Sequence, residues 1–421
     1  MSSTATPEAP GSLHGRHAAS GGPRSSHATG FWFVASAYTV LMAFGTVPTP
    51  LWPLYQAHDH FGATTVTVAF AVLVVGAAFA FSTLGHLSDR FGRRRVIVPA
   101  LVVAIAGSVL MAAWPALPGL IVGRLLTGVA IGLMASTSTV YLSDLYHRAW
   151  PGDAGSSTPT IVATAANLGG LALGPLIGGA LAQWVPAPLN TSYIVIAVIM
   201  AALVVAVLLS PETVDTTAAA GERRSARFAL RAGHRTAFTG AAAVGFFAFA
   251  VMGLFSSLGA IIVRGQLHIG STFIAGLVVA VAFAASALAQ LALGRLPRSS
   301  LLATGTVLFP VGLALTAVSL YQPSLWLVLV AAGLAGAGSG LLIKAALTQA
   351  AMAAAPASRA GVLAMFFVVA YLGMGLPSVA FSLVIRHASL QPSMIGFASV
   401  LSAGAVAAAV VAARSRREVT A

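Results

Sequence analysis

Twelve long apolar runs, separated by short polar stretches, dominate this sequence and decide which solvent it can fold in. Of its 421 residues, 58% are hydrophobic and only 7% are charged, whereas a water-facing fold carries roughly 25% charged residues. So few charges cannot cover a water-exposed surface, and most of the chain must therefore face lipid. A hydrocarbon core of about 30 Å takes roughly 20 apolar residues per helical span. Lipid offers no partner for backbone N–H and C=O groups, so every span is a helix or part of a closed barrel. The runs are rich in Ala, Leu, Val and Gly and lack the roughly ten-residue apolar–polar alternation of barrel strands. The expectation is an all-α membrane protein with twelve transmembrane helices.

The predicted spans are 31–54, 65–84, 96–114, 117–142, 160–184 and 193–209, then 238–263, 273–293, 301–320, 325–346, 361–385 and 394–413. They divide the chain into a six-helix bundle over 31–210, a basic linker over 211–236 and a second six-helix bundle over 237–413, with a short tail at 414–421. Residues 1–30 are rich in Ser, Gly, His and Pro and lack the apolar core of a secretory signal. They read as a disordered cytoplasmic tail, with a transit peptide as the alternative.

The formal charge of +13 belongs to membrane topology rather than to nucleic acid, because the basic residues sit in short loops between apolar runs. Positive residues stay on the cytoplasmic side of such loops. With the N-terminus inside, that side holds Arg16, Arg24, Arg90, Arg93, Arg94, Arg95, Arg148, the linker residues Arg223, Arg224, Arg227, Arg231 and Arg235, and Arg295, Arg298, Arg359, Arg414, Arg416 and Arg417. The opposite loops hold Arg264 and Arg386. A multi-pass protein of the cell membrane with both termini cytoplasmic is expected, functional as a monomer. There is no cysteine, which excludes disulfides, Cys-ligated metals and a thiol nucleophile. No P-loop lysine motif is present, so the chain is not a self-contained ATP-driven pump. No metal or cofactor is expected.

The two halves echo each other. GHLSDRFGR at 85–93 and QLALGRLPR at 290–298 follow the second span of each half, and GPLIGG at 174–179 has a fainter counterpart in GLPSVA at 375–380. Internal repeats of this kind build a midplane site between two rocking halves.

The 85–95 loop reads Gly-His-Leu-Ser-Asp-Arg-Phe-Gly-Arg-Arg-Arg. A positive-inside loop needs the arginines but not Gly85, Asp89 and Gly92 at these spacings. The loop resembles the signature loop of the major facilitator superfamily. That resemblance implies two six-helix, pseudo-symmetric bundles and a conformational-gating role for Gly85, Asp89, Arg90, Gly92 and Arg93. The aspartate would help hold the cytoplasmic side shut near the start of helix eleven, here around 358–361, where a carboxylate is favoured by the helix N-terminus. Asp89→Asn is then expected to impair transport without preventing insertion.

Further motifs extend the resemblance. Arg124, followed by Gly128 and Gly132, is similar to the family's helix-four motif, which implies a proton-coupling role. The alternative from depth alone is snorkelling to the outer interface, since Arg124 lies about 10 Å into the span that starts near Leu117. Gly170, Gly174, Pro175, Gly178 and Gly179 resemble the helix-five motif of drug and metabolite antiporters, and helix packing explains them as well. The Pro211-Glu212-Thr213 segment resembles a sequence common after helix six and is equally a helix stop. Prolines 48, 50 and 53 imply a broken end to the first helix. Lys344, the only lysine, either snorkels or faces the substrate cavity, for which Tyr38, Asn167, Gln290 and Gln349 are further candidates. His58-Asp59-His60 reads as a solvated loop, with metal binding or pH sensing as the alternative.

All nine acidic residues fall in tails, loops or span ends. Proton coupling would then use Asp59 or Asp144 at a membrane edge, a histidine, or a charge on the substrate. The spans show no acid, base and nucleophile together, which argues against an enzyme. The leading expectation is a secondary transporter of a small organic compound, exporting it by alternating access with protons as the coupling partner. The alternatives are an importer or uniporter of a metabolite and, from another class, a membrane receptor or scaffold.

Overall fold

The computed structural model describes residues 25–85, 87–214 and 228–420, apart from the side chains of Asp89 and residues 415–420. The first bundle is α1 (His27–Thr46), α2 (Trp52–Asp59), α3 (Ala63–Thr83), α4 (Leu87–Phe91), α5 (Arg94–Ala113), α6 (Leu117–Ala149), α7 (Thr158–Trp184) and α8 (Pro188–Leu209). The second is α9 (Arg235–Gln266), α10 (Thr272–Leu293), α11 (Arg298–Val318), α12 (Leu325–Ala353), α13 (Arg359–Val384) and α14 (Leu390–Thr420). Among the described residues twelve segments are long and apolar enough to cross a membrane, the first combining α1 and α2. Large apolar side chains such as Trp184, Leu288, Trp326 and Val400 stand exposed on the outer surface, as a lipid-facing belt requires.

Four helices start before the predicted spans, at arginines that a purely apolar run excludes. Arg94, Arg235, Arg298 and Arg359 lie inside the first turns of their helices. Helix α1 starts at His27, within the expected tail, because the Ser26 hydroxyl caps it by accepting from the Thr29 N–H at 3.1 Å. The expectations for residues 1–24, Arg223, Arg224 and Arg227 lie outside the described residues. The linker ends in an antiparallel bridge between Leu230 and Ala354. There the Arg231 N–H donates to the Ala353 carbonyl and the Ala355 N–H to that of Ala229.

Prolines shape the first span and the pseudo-symmetry. Pro48 and Pro50 end α1 and set a single 3-10 turn at Thr49–Leu51 before α2 resumes. Pro175 sits inside α7 and Pro377 inside its counterpart α13. Each of these helices packs on the first helix of its own half and on the second helix of the other half: α7 on α1 and α10, α13 on α9 and α3. The two bundles therefore meet along α3–α13 and α7–α10.

Candidate functional site

The two bundles are clasped at the end remote from the chain termini, here called the distal end. The Trp52 indole N–H in α2 donates to the Ser256 carbonyl of α9 at 2.9 Å. Thr64 donates to the Ser382 carbonyl at 3.3 Å, and the Thr67 and Ser382 hydroxyls pair at 2.8 Å. On the other flank the Thr272 hydroxyl donates to the Gly179 carbonyl at 3.1 Å, and its N–H to the Gln183 side chain at 3.1 Å. This is a distal-closed form of the molecule.

The glycines of α7 make that closure possible. A methyl group at Gly170, Gly174 or Gly178 would lie 2.4, 2.1 or 2.3 Å from the carbonyl oxygens of Thr39, Ala43 and Val47, on one side of α7. Gly179 faces the other way, onto Thr272 of α10. Pro175 cannot donate to the Leu171 carbonyl one turn back; the Thr46 hydroxyl of α1 satisfies it at 3.0 Å. The motif is thus a two-sided packing seam, and Gly174–Pro175 knits α1 to α7.

Arg124 does not snorkel. It is 1% exposed and donates from Nη1 to the Gly45 carbonyl at 2.8 Å. That carbonyl lies in the last turn of α1, where helix carbonyls run out of donors. The guanidinium carbon lies 5.6 Å from the Trp52 ring and 5.7 Å from the Phe70 ring, within cation–π range. No carboxylate pairs with it among the described residues, and its Nε has no hydrogen-bond partner. A buried cation without a counter-ion is costly.

The 85–95 loop is assembled at the terminal end by a residue that the motif does not contain. The Glu212 carboxylate accepts from the Arg93 N–H at 2.9 Å and the Arg94 N–H at 3.0 Å, capping α5, and also from the Thr213 N–H at 2.9 Å. Gly92 has φ +105°, and a methyl group there would lie 2.7 Å from Glu212 Oε2, so both conformation and space demand glycine. Arg93 approaches Asp144 at 3.6 Å and donates to the Ser88 hydroxyl at 2.9 Å. Arg94 reaches the Leu208 and Ser210 carbonyls, Arg148 the Thr213 carbonyl, and the Tyr141 hydroxyl the Pro211 carbonyl at 2.6 Å. Arg90 is exposed beside the Phe91 ring, and Gly85 abuts the Phe81 carbonyl. The Asp89 side chain lies outside the described residues; its backbone is in α4. Because Glu212 serves several backbone donors, Glu212→Ala is expected to cost about 1–2 kcal/mol, read as a fall in melting temperature in detergent. Glu212→Gln, which keeps an acceptor oxygen, should lose less.

The cavity candidates do not converge. Tyr38 is buried on α1. Asn167 is half-buried on α7, and Gln290 half-buried on α10. Gln349 faces away, donating to the Ala412 carbonyl of α14 at 3.1 Å. The Lys344 stem packs near Gly294 at the terminal end of α10. Asp59 caps α6, accepting from the Leu117 N–H at 2.6 Å. Sequence reasoning missed the aromatic residues that face each other between the bundles. Phe81 of α3 stacks on Phe367 of α13 at 5.3 Å and meets Tyr371 at 5.4 Å, while Phe249 of α9 lies 5.6 Å from Tyr371.

Two bundles of membrane helices joined along swapped helix pairs form the setting in which the family match falls. The family model described as Major Facilitator Superfamily matches residues 34–296, more than half of the chain. The chain belongs to the major facilitator superfamily. Membership makes it a membrane transporter and not an enzyme. Among relatives of this superfamily, the glucose transporter GlcP of Staphylococcus epidermidis is 37% identical over 93 residues, 22% of this chain and 21% of that protein. The galactose-proton symporter of Escherichia coli is 34% identical over 89 residues, 21% of this chain and 19% of the symporter. The chain thus matches about a fifth of the length of these relatives. Solved structures agree over far more of the chain: the nucleoside transporter NupG at TM-score 0.72 and 14% identity, covering 91% of this chain and 99% of NupG, and the human organic anion transporter MFSD10 (TETRAN) at TM-score 0.66 and 16% identity, covering 92% and 100%. At those identities the likeness is one of fold.

Proposed function

We propose that this chain is an importer or uniporter of a small metabolite, working by alternating access between the distal-closed form and a distal-open one. The arginine-rich terminal end faces the cytoplasm in this reading, as the loop charges favour. The carrying observation is the 37% identity over 93 residues with a carrier named for glucose, supported by the match to a galactose-proton symporter. The expectation of export rested on the α7 glycines, and packing on α1 and α10 accounts for those whichever way cargo moves. Protons remain the coupling partner to test, with Arg124 as the candidate coupling residue.

The test is substrate-panel uptake by the purified chain in proteoliposomes, with and without an imposed pH gradient. Inward movement or exchange supports the reading, and a pH-gradient requirement adds proton coupling to it. Extrusion driven by an inward proton gradient, with no uptake or exchange, would overturn it. The conformational part has its own readout. Trp52→Phe removes one distal hydrogen bond, worth about 0.5–1.5 kcal/mol, and should shift the open–closed balance about two- to tenfold. A single cysteine placed at the buried Ser257, in a chain with no native cysteine, should then react correspondingly faster with an impermeant maleimide from the distal side.

A further inference from the structure

We propose that the face between the bundles around Tyr371 binds an uncharged compound with a flat aromatic ring and attached hydroxyl groups; this rests on the transporter reading above and names the cargo of that pathway. On α13 the lipid-facing residues Met365, Leu376 and Leu383 are 40%, 56% and 46% exposed. Phe367 and Tyr371, one turn apart, lie on the opposite face, so their partial exposure opens inward between the bundles. There Phe367 and Tyr371 meet Phe81 of the other bundle, and Phe249 flanks Tyr371. The cluster thus draws on both moving halves, so a ring inserted within it would touch both.

Chemistry narrows the guest. Aromatic pairs add about 0.5–1.5 kcal/mol each beyond the area they bury, which rewards a planar ring. The hydroxyl of Tyr371 has no hydrogen-bond partner among the described residues and is free to serve a guest. That is a thin polar lining for a bare sugar, whose several hydroxyls would each lose water at about 1–3 kcal/mol apiece with no flat ring to offset the loss by stacking. An ionised guest fares worse. Arg124 is held at Gly45 in the last turn of α1, seven residues, about 10 Å, beyond Tyr38 along that helix, and the Lys344 stem lies beside Gly294 at the terminal end of α10. No described carboxylate belongs to the cluster either, so a cation would meet ring faces alone, worth about 2 kcal/mol when desolvated, against the larger cost of burying an unpaired charge.

The test measures binding and transport separately on the full-length protein. Phenyl β-D-glucoside and uridine serve as neutral probes bearing a flat ring, glucose as the control without one and benzoate as the charged one. The ring-bearing probes should raise the melting temperature in detergent at concentrations where glucose and benzoate do not. Tyr371→Ala should weaken their binding about tenfold or more, and Tyr371→Phe, which keeps the ring and the fold, about three- to tenfold. Stabilisation by glucose or benzoate equal to that by the ring-bearing probes, or unchanged affinity in both variants, would overturn the proposal. Uptake of glucose without binding of either ring-bearing probe would sink the cargo class and leave the transporter reading standing. Binding of the probes with no passage across the liposome membrane would support the site and count against the transporter reading.

Discussion

Gly174→Val is expected to leave almost no folded protein in the membrane fraction. The first carbon of any side chain at this position would lie 2.1 Å from the Ala43 carbonyl oxygen and 2.2 Å from the Thr46 hydroxyl. Neither is the free end of a flexible side chain: one is backbone, and the other already donates to the Leu171 carbonyl exposed by Pro175. Relief requires α1 and α7 to separate, which breaks that hydrogen bond and opens the distal clasp where Gly179 meets Thr272. Overpacking of this kind costs about 3 kcal/mol or more, a large share of the stability of any domain. The internal control is Gly169→Ala, five residues earlier than Gly174, where a methyl group meets nothing within 4 Å. This change should be neutral or stabilising by up to about 1 kcal/mol, since alanine favours the helix interior. Equal expression and melting of Gly174→Val and wild type would show that α1 and α7 are not packed as described.

Arg124→Leu should separate stability from function. Its guanidinium is fully buried without a carboxylate partner among the described residues. Replacing buried charge with apolar volume is often neutral or stabilising by about 1–4 kcal/mol. The melting temperature is therefore expected to hold or rise. Uptake, in contrast, should fall at least about tenfold, the equivalent of about 1.4 kcal/mol. Arg124 pins the broken end of α1 through the Gly45 carbonyl and supports the face of Trp52, the side chain that crosses to α9. Arg124→Lys keeps the charge but not the planar stacking and forked donors, and it should recover only part of the rate. A Leu variant that melts much lower would make Arg124 a structural residue after all.

Particular residues show where the sequence was legible. The spans were readable because lipid imposes one backbone solution on every apolar run, and Pro48, Pro50 and Pro53 announced the interruption between α1 and α2. Hydropathy does not say which face of a helix a lone polar residue occupies, so Gln349 read like Asn167 although it points at α14. Glu212 lies 119 residues from Arg93 in sequence, and no local pattern ties a carboxylate after one helix to the start of another. The depth of Arg124 allowed two outcomes, and the choice fell to a carbonyl on a different helix. The aromatic cluster escaped notice because Phe and Tyr at helical spacing look like any lipid-facing or packed residue until two bundles bring them together.

If the terminal end faces the cytoplasm, as proposed, the clasp at the distal end has a consequence for the medium outside. Trp52, Thr64, Thr67 and Thr272 close it with neutral donors, and among the described residues no ion pair joins the bundles there. Dissolved ions weaken attraction between opposite charges over a Debye length of about 8–10 Å, but they have little grip on an indole or a hydroxyl bonded to a carbonyl. The resting bias of the molecule should therefore be nearly indifferent to external salinity, and brine or fresh water would present it with the same shut door.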